Sequence, residues 1–206
     1  MLPEPTVFIV DDDPQVCDSV AVLVETMGLP TREFTSAEDF LAAYDPTQPG
    51  CLVTDLRMQG KSGLELQEQL KADEVRLPVV FITGYADVPT AVRIMQNGAT
   101  SVLEKPFREQ DLWDAIRKAL DRDTEFRRHS ARIEDVRQRL TALTDNERQV
   151  LDLLVAGKMN KTIAKQLGVS LRTVEQRRHD LLDKMQVDSL AALVRLSIEA
   201  DSDSPV

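Results

Sequence analysis

The first 121 residues alternate short apolar runs, rich in β-branched side chains, with segments whose apolar residues recur at helical spacing. The runs occupy residues 7–10, 31–34, 51–54, 79–82 and 101–103. Apolar strands that alternate with amphipathic helices are typical of a parallel sheet covered by helices on both faces. The pattern therefore predicts a doubly wound α/β domain with five parallel strands, in which the more polar run 31–34 is an edge strand.

Polar side chains of distinct chemistry stand at or just after the ends of four of these runs. They are Asp11, Asp12, Asp13, Asp55, Thr83 and Lys105. Ligands bind beyond the carboxyl ends of parallel strands, so we expect these groups to meet at one edge of the sheet. Carboxylates held together repel one another unless a cation joins them, and their oxygen atoms favour Mg²⁺. A carboxylate beside Mg²⁺, an ammonium and a hydroxyl is suited to phosphoryl transfer.

Residues 5–121 resemble the receiver domain of bacterial two-component response regulators. Four motifs, in matching order and spacing, carry the resemblance: Val10-Asp11-Asp12-Asp13, Thr54-Asp55-Leu56-Arg57-Met58, Ile82-Thr83-Gly84 and Glu104-Lys105-Pro106-Phe107. The resemblance implies a flavodoxin-like fold with strand order 2-1-3-4-5. It also implies that Asp55 is the phosphoacceptor and that Lys105 pairs with the phosphoryl group, aimed by a cis peptide bond before Pro106. The implied Mg²⁺ ligands are Asp11, Asp12, Asp55 and the backbone carbonyl of Arg57.

Two positions depart from the family pattern. By the resemblance, Thr83 is a switch hydroxyl that turns toward the phosphoryl group and is coupled to an aromatic residue three positions before the lysine. That position holds Val102, and Tyr85 is a candidate to fill some of the same space. Gln59 stands where the family often has proline. These departures leave open a receiver that is never phosphorylated and serves as a constitutive dimerisation module.

Charge divides the chain into an acidic front and a locally basic back. Residues 1–122 carry 21 acidic and 11 basic side chains, whereas residues 123–206 carry 14 of each. Within 158–184, seven basic side chains stand against three acidic ones. Such asymmetry is expected when two parts of a chain have different partners.

Residues 141–200 contain four segments of helical periodicity, with a Gly-containing turn between the second and third. A helix, a short turn and a basic helix form the signature of a helix-turn-helix domain. The segment resembles the LuxR-type DNA-binding domain in three motifs: Leu143-Thr144-x-x-Glu147-x-x-Val150-Leu151, Gly157-x-x-Asn160-Lys161-x-Ile163-Ala164-x-x-Leu167 and Ser170-x-x-Thr173-Val174-Glu175. We therefore expect an all-α four-helix domain that binds double-stranded promoter DNA.

The resemblance places three outward side chains of the third helix, Glu175, Gln176 and His179, where they can read base edges. Thr173 is expected to pack within the helices and lie near the phosphates. The basic side chains supply salt-sensitive contacts to the DNA backbone. They are Lys161, Lys165, Arg172, Arg177 and Arg178.

The segment between the two domains contains no Gly or Pro and has a heptad register. Its apolar positions are Phe126, Ile133 and Leu140, with His129, Val136 and Leu143 three residues later. Three heptads are near the minimum for a coiled coil, so a dimer seam here is one hypothesis. A solvated helix, or one packed on its own receiver, with dimerisation through the fourth helix and fifth strand of the receiver, is the alternative.

We interpret residues 1–121 as the receiver, 122–140 as a helical linker and 141–206 as the DNA-binding domain. The expected partners are a sensor histidine kinase, promoter DNA and a second copy of the phosphorylated chain, with RNA polymerase as a further candidate. Two cysteines form no disulfide framework, and neither a signal peptide nor an apolar run of about 20 residues is present, so we expect a cytoplasmic protein with no membrane segment.

An enzyme is the competing function. Haloacid-dehalogenase phosphatases also place an Asp-x-Asp motif after their first strand, which Asp11 and Asp13 match superficially. Gln15 stands where a Thr or Val is expected in those enzymes, and they carry a cap domain instead of a helix-turn-helix. We therefore expect no catalysis beyond phosphoryl acceptance and slow self-dephosphorylation.

Overall fold

The computed structural model describes residues 4–84 and 88–202, and its first part is built on one sheet. The strands are β1 (Thr6–Val10), β2 (Thr31–Phe34), β3 (Gly50–Asp55), β4 (Val79–Thr83) and β5 (Ser101–Glu104). All neighbouring strands are parallel, in the spatial order β2-β1-β3-β4-β5. The predicted fold class and strand order are confirmed, and the polar strand β2 lies at an edge.

Helices cover both faces of this sheet. They are α1 (Pro14–Glu25), α2 (Ala37–Ala43), α3 (Gly63–Ala72), α4 (Val88–Gln96) and α5 (Glu109–Thr141). Val7 and Ile9 of β1 pack with α1 and α5, whereas Phe8 and Val10 pack with α2 and α3, because successive strand residues point to opposite faces. Every residue of β1 is buried, which explains why the strand is continuously apolar after Thr6.

Short polar side chains set where these helices begin. Asp13 caps α1 by accepting a hydrogen bond from Gln15 N at 2.9 Å, and Pro14 occupies the first turn. Ser36 caps α2 by accepting a hydrogen bond from Asp39 N at 3.1 Å. The third aspartate of the acidic run therefore ends a loop and starts a helix.

The C-terminal part contains α6 (Asp145–Val155), α7 (Asn160–Leu167), α8 (Leu171–Lys184) and α9 (Leu190–Ser202), which confirms an all-α domain. Its core includes Val150, Ile163, Val174 and Leu181, each fully buried. Gly168 ends α7 with φ of 65°, a conformation that allows the tight turn into α8.

The segment predicted as a linker forms part of one continuous 33-residue helix, α5. The chain forms two compact units, Met1–Phe126 and Arg127–Val206, whose boundary falls inside that segment. Val136 and Leu140 are buried in the core of the C-terminal unit, and Leu143 packs against it. At these three positions the heptad spacing thus reflects packing within the C-terminal unit, and the buried Val136 and Leu140 are unavailable for a coiled-coil seam.

The part of α5 that precedes residue 127 is held by contacts with the rest of the first unit. The carboxylate of Asp123, 2 % exposed, accepts a hydrogen bond from Gly50 N at 3.0 Å at the start of β3. The Phe126 ring lies 4.8 Å from the guanidinium carbon of Arg76. Phe126 therefore packs against another residue of the first unit.

Within the described ranges, no helix combines the length and apolarity that crossing a bilayer requires. Cys17 and Cys51 are both buried and form no disulfide. Burial raises the pKa of the Cys17 thiol to about 11, so it stays protonated near neutral pH.

Candidate functional site

Asp11, Asp55 and Lys105 lie at the carboxyl ends of β1, β3 and β5 and meet at one point. The Lys105 Nζ atom is 3.2 Å from Asp11 Oδ2 and 3.4 Å from Asp55 Oδ2. Asp11 is only 4 % exposed, whereas Asp55 and Lys105 are half-buried. One ammonium therefore joins two carboxylates at the edge of the sheet where such folds bind ligands.

The electrostatics of this point favour a further cation. Burial is the largest influence on Asp11 and raises the pKa of its carboxyl, and the Asp55 charge adds to that effect. The Asp13 backbone N–H, 3.0 Å from Asp11 Oδ1, and the Lys105 ammonium act in the opposite direction. A cation placed near both carboxylates would stabilise their charged forms.

Asp12 makes a different contact from its neighbour. Its Oδ2 atom accepts a hydrogen bond from Gln59 N at 3.0 Å, which joins the loop after β1 to the loop after β3. Outside their own run, the three consecutive aspartates thus contact three different groups: the Lys105 ammonium for Asp11, the backbone N–H of Gln59 for Asp12 and the backbone N–H of Gln15 for Asp13.

The predicted switch residues lie on the two strands beyond β3. Thr83 is 1 % exposed at the end of β4, and its carbonyl accepts a hydrogen bond from Lys105 N at 2.7 Å. Val102 is half-buried, pairs with Phe81 across the strands and packs against the core on the α2–α4 side. The peptide bond before Pro106 is cis. Tyr85, the candidate substitute for the missing aromatic residue, lies outside the described residues.

The donor set suits Mg²⁺ with water completing the coordination. Among the described residues, no three Asp, Glu, His or Cys side chains stand close enough to form a ready-made metal group. Lys105 brings the carboxylates of Asp11 and Asp55 together, whereas the Asp12 carboxylate accepts a hydrogen bond from the backbone N–H of Gln59. Mg²⁺ commonly binds through one or two carboxylates and keeps several waters, so the two carboxylates fit it. The backbone N–H of Arg57 lies 3.4 Å from Asp55 Oδ1, which places Arg57 beside the same carboxylate.

Sequence reasoning missed Gly63, which begins α3. A Cβ atom at this position would lie 2.1 Å from the carbonyl oxygen of Asp55, so only glycine allows the backbone of α3 to approach this closely. Ser62 and Glu65 form a reciprocal capping box around it. The Ser62-x-x-Glu65 spacing was the available signal, because it marks the helix start at which Gly63 stands.

The predicted DNA contacts lie on α7 and α8 and differ in exposure. Thr173, Arg177 and Arg178 are half-buried, and the rest are exposed: Lys161, Lys165, Arg172, Glu175, Gln176 and His179. Ser170 caps α8 by accepting from Thr173 N at 3.1 Å, which ties Thr173 to the helix start. Gln176 donates to Asp180 within the helix at 2.8 Å, and His179 lies 3.5 Å from Asp183.

A second residue missed as functional in the sequence, Glu147, ties the start of α6 to the end of α8. Its carboxylate accepts from Thr144 N and Oγ1, both at 2.9 Å, and lies 2.7 Å from Lys184 Nζ. The Lys184 hydrogen bond, together with Thr144, lowers the pKa of Glu147 to about 2. The pair links the start of α6 to the end of α8, and most of the predicted DNA contacts lie on α8.

Comparisons with known proteins agree with the resemblance of the first unit to receiver domains and with that of the second to LuxR-type domains. The model of the response regulator receiver domain matches residues 7–117, and that of bacterial regulatory proteins of the luxR family matches residues 141–197. Transcriptional regulatory protein FixJ of Azorhizobium caulinodans is 45% identical over 194 residues, which cover 94% of this chain and 92% of that protein. Response regulator protein TodT of Pseudomonas putida is 38% identical, over 93% of this chain and 84% of that protein.

Solved structures give the same assignment. The low-resolution structure of response regulator StyR is 44% identical with a TM-score of 0.83, covering 96% of this chain and all of that one. Full-length FixJ from B. japonicum is 36% identical with a TM-score of 0.58, over 97% and 98% of the two chains. These matches favour a regulator over the phosphatase alternative. The chain belongs to the transcriptional response regulators that join a receiver domain to a LuxR-type DNA-binding domain.

Proposed function

We propose that Asp55 accepts a phosphoryl group from a sensor histidine kinase and that this modification controls dimerisation and promoter binding. The observation that carries the proposal is the contact of Lys105 Nζ with the carboxylates of both Asp11 and Asp55. We also propose that residues 1–121, 122–140 and 141–206 are the receiver, linker and DNA-binding parts of a cytoplasmic protein.

In the transfer step, a carboxylate oxygen of Asp55 attacks phosphorus and the bond from phosphorus to the donor's imidazole nitrogen breaks. The product is an acyl phosphate on Asp55, and the imidazole keeps the electron pair of the broken bond. Asp11, Asp12, Asp55 and the Arg57 carbonyl would hold Mg²⁺, which supplies neutralisation of charge on the phosphoryl oxygens. Lys105 provides a second positive charge, since its ammonium already lies beside the attacking carboxylate.

The switch follows from the added charge. Phosphorylation adds about −1.5 to −2 charges near neutral pH, which attracts the Thr83 hydroxyl and Lys105 toward the new group. Both residues lie at the ends of β4 and β5, so their movement changes the surface formed by α4 and β5. Moving the population from 1:99 to 99:1 requires about 5.5 kcal/mol of differential stabilisation, which phosphoryl contacts and dimer contacts supply together.

The surface of α4 supports dimerisation through the receiver. Val88, Val92 and Met95 are 76, 48 and 48 % exposed, and their spacing places them on one side of the helix. Exposed apolar side chains grouped in this way favour a protein partner. A second phosphorylated copy would bring two DNA-binding domains to a pair of half-sites, and promoter-bound dimers could then contact RNA polymerase.

Phosphodonor labelling tests the proposal directly. Wild-type protein incubated with acetyl phosphate and Mg²⁺ should gain one phosphoryl group by intact-mass spectrometry. Asp55→Asn should gain none. Asp13→Asn alters only the cap of α1 and should still be labelled. Unlabelled wild type would support the constitutive dimerisation alternative.

Binding to DNA supplies the second half of the test. A binding-site selection with purified protein identifies a duplex, which is then titrated with phosphorylated wild type and with Asp55→Ala. We expect tighter binding and a dimeric complex only for the phosphorylated protein. Equal affinity of the two would contradict the switch.

A further inference from the structure

Helix α4 is packed unevenly along its length. Among the described residues 88–96, Ile94 alone is fully buried, and it lies in the second half of the helix. Ala99, which follows the helix closely, packs in the same part of the core as Ile94. Val88, the first residue of α4, is instead the most exposed of the described large apolar side chains. Segments with few buried apolar contacts move at a low free-energy cost, so the first half of α4 moves more easily than the second.

A carboxylate of α3 holds the C-terminal end of α4. Glu68 Oε1 accepts a hydrogen bond from Arg93 Nη2 at 2.7 Å and another from Asn97 Nδ2 at 3.3 Å. Arg93 and Asn97 are one helical turn apart, and Asn97 directly follows the helix. Because both donors converge on one oxygen atom, the contact fixes this end of α4 relative to α3, although an exposed ion pair adds little stability by itself.

A second contact joins the same end of α4 to α5. The carbonyl of Gly98 accepts a hydrogen bond from Arg122 Nη1 at 3.2 Å. The turn of α5 that carries Arg122 is itself anchored, because the adjacent residue Asp123 is buried and accepts a hydrogen bond from Gly50 N. The end of α4 is therefore tied to two neighbouring helices, α3 and α5.

The proposed switch acts at the other end of α4. Thr83 ends β4 at the edge of the sheet where Asp55 lies, and α4 begins five residues later at Val88. The nine residues of α4 span about 13 Å at about 1.5 Å per residue. A pull on Thr83 thus reaches the loosely packed end of the helix first, whereas Glu68 and Arg122 hold the far end.

We propose that Glu68 and Arg122 are positioning residues that make the C-terminal end of α4 a fixed pivot, about which the helix tilts when Asp55 is phosphorylated. The inference rests on the proposed function and adds the direction of the movement. Tilting about this end displaces Val88 most and Met95 least, so the exposed apolar side chains take up one defined new arrangement. A helix released at its C-terminal end would spread over several arrangements, and a second copy would bind only a fraction of them.

Dimerisation of full-length variants tests the pivot. Wild type, Glu68→Gln and Arg122→Gln are treated with acetyl phosphate and Mg²⁺, labelling is followed by intact mass, and the dimer dissociation constant is measured by analytical ultracentrifugation. Labelling should be equal, because neither residue belongs to the phosphoryl site. The phosphorylated variants should dimerise about two- to fivefold more weakly, the range for loss of one partly exposed charged contact.

Matched variants and a second measurement separate the pivot from the switch itself. The exposed changes Lys71→Gln on α3 and Lys118→Gln on α5 should behave as wild type, and Arg122→Lys, which keeps a donor, should recover part of the loss. Variants of Glu68 and Arg122 that dimerise as wild type does, or that dimerise without phosphorylation, would overturn the pivot. A wild type that is labelled but stays monomeric would contradict the proposed function instead.

Hydrogen exchange in the unphosphorylated protein tests the anchor even in that case. Glu68→Gln should speed exchange of the backbone amides of residues 93–98 about two- to fivefold, and Lys71→Gln should leave it unchanged. Equal exchange in wild type and Glu68→Gln would show that Glu68 does not hold α4.

Discussion

The two units of this chain build their sites in opposite ways. In the receiver, side chains from three strands converge on one half-buried point, where Lys105 contacts both Asp11 and Asp55 within 3.4 Å. In the C-terminal unit, the charged side chains are spread over exposed positions such as Lys161 and Arg172. A convergent site depends on a few exact contacts, whereas a distributed surface tolerates the loss of any single one.

Charge follows the same division. The receiver part holds the whole net charge of −10, and two of its carboxylates, Asp11 and Asp55, are brought together around Lys105. The C-terminal part is neutral overall, and its largest positive excess lies in residues 158–184, which include α7 and α8. Acidic convergence suits a divalent ion and a phosphoryl group, and a dispersed positive surface suits the regular phosphates of DNA.

The largest expected effect is a loss of stability in the C-terminal unit, and it tests whether the two units unfold independently. Leu181→Ala removes a fully buried side chain from the C-terminal core and should cost about 2–5 kcal/mol of its free energy of unfolding. Urea unfolding is followed by circular dichroism, which reports on both units, and by Trp113 fluorescence, which reports on the receiver alone. We expect only the circular dichroism transition to move. A matching shift in Trp113 fluorescence would show that the units unfold together, and the exposed change Leu171→Ala is the control.

A smaller loss is expected at the convergent site. Lys105→Met leaves Asp11 and Asp55 without the cation between them, and should destabilise the receiver by about 1–3 kcal/mol after allowance for its partial exposure. On the proposal that Mg²⁺ binds the same carboxylates, its addition should restore part of that stability. Trp113 fluorescence in urea, measured in EDTA and in Mg²⁺, checks both statements. Lys118→Met serves as the matched control, and equal midpoints for the two variants would refute the prediction.

The convergence was predictable because a parallel sheet places all its carboxyl strand ends at one edge. The apolar runs fix the strands, and the residues that follow each run then determine the chemistry of the edge. Lys105 and Asp11 are 94 residues apart in sequence, yet no knowledge of loop conformation was needed to expect them together.

Contacts that depend on loop conformation could not be predicted. The backbone N–H of Gln59 reaches Asp12 only because of the conformation of the loop after β3. Gly63 approaches the Asp55 carbonyl for the same reason. The heptad spacing could not be interpreted from sequence for another reason. Apolar residues three and four apart can pack against a helix of a second chain or against a helix of the same domain, and Val136 and Leu140 do the second.

An effect of about 1 kcal/mol is expected from the Glu147–Lys184 ion pair, which links α6 to α8. The pKa of Glu147 is about 2 in the folded protein against an ordinary value of 4.5, so its contribution is present above pH 4.5 and is lost as the pH falls toward 2. Glu147→Gln should therefore lower stability by about 1 kcal/mol at pH 7, and the difference from wild type should shrink at pH 3. Circular dichroism in urea at both pH values measures this. Asp152→Asn, exposed on the same helix, is the control, and a difference that stays constant with pH would argue against the ion pair.

The smallest effect probes one member of the distributed surface. Arg172→Ala should weaken binding to the selected duplex about two- to fivefold and reduce the slope of log affinity against log salt by about 0.9, because one phosphate contact is lost. Gln176→Ala should keep that slope and change the preferred base at one position, since a side chain that reads base edges releases no counterions. Fluorescence anisotropy across a salt series, with duplexes altered base by base, separates the two outcomes. An unchanged slope for Arg172→Ala would remove this residue from the phosphate-contacting set, whereas a large loss from this single change would show that the DNA surface is as convergent as the receiver site.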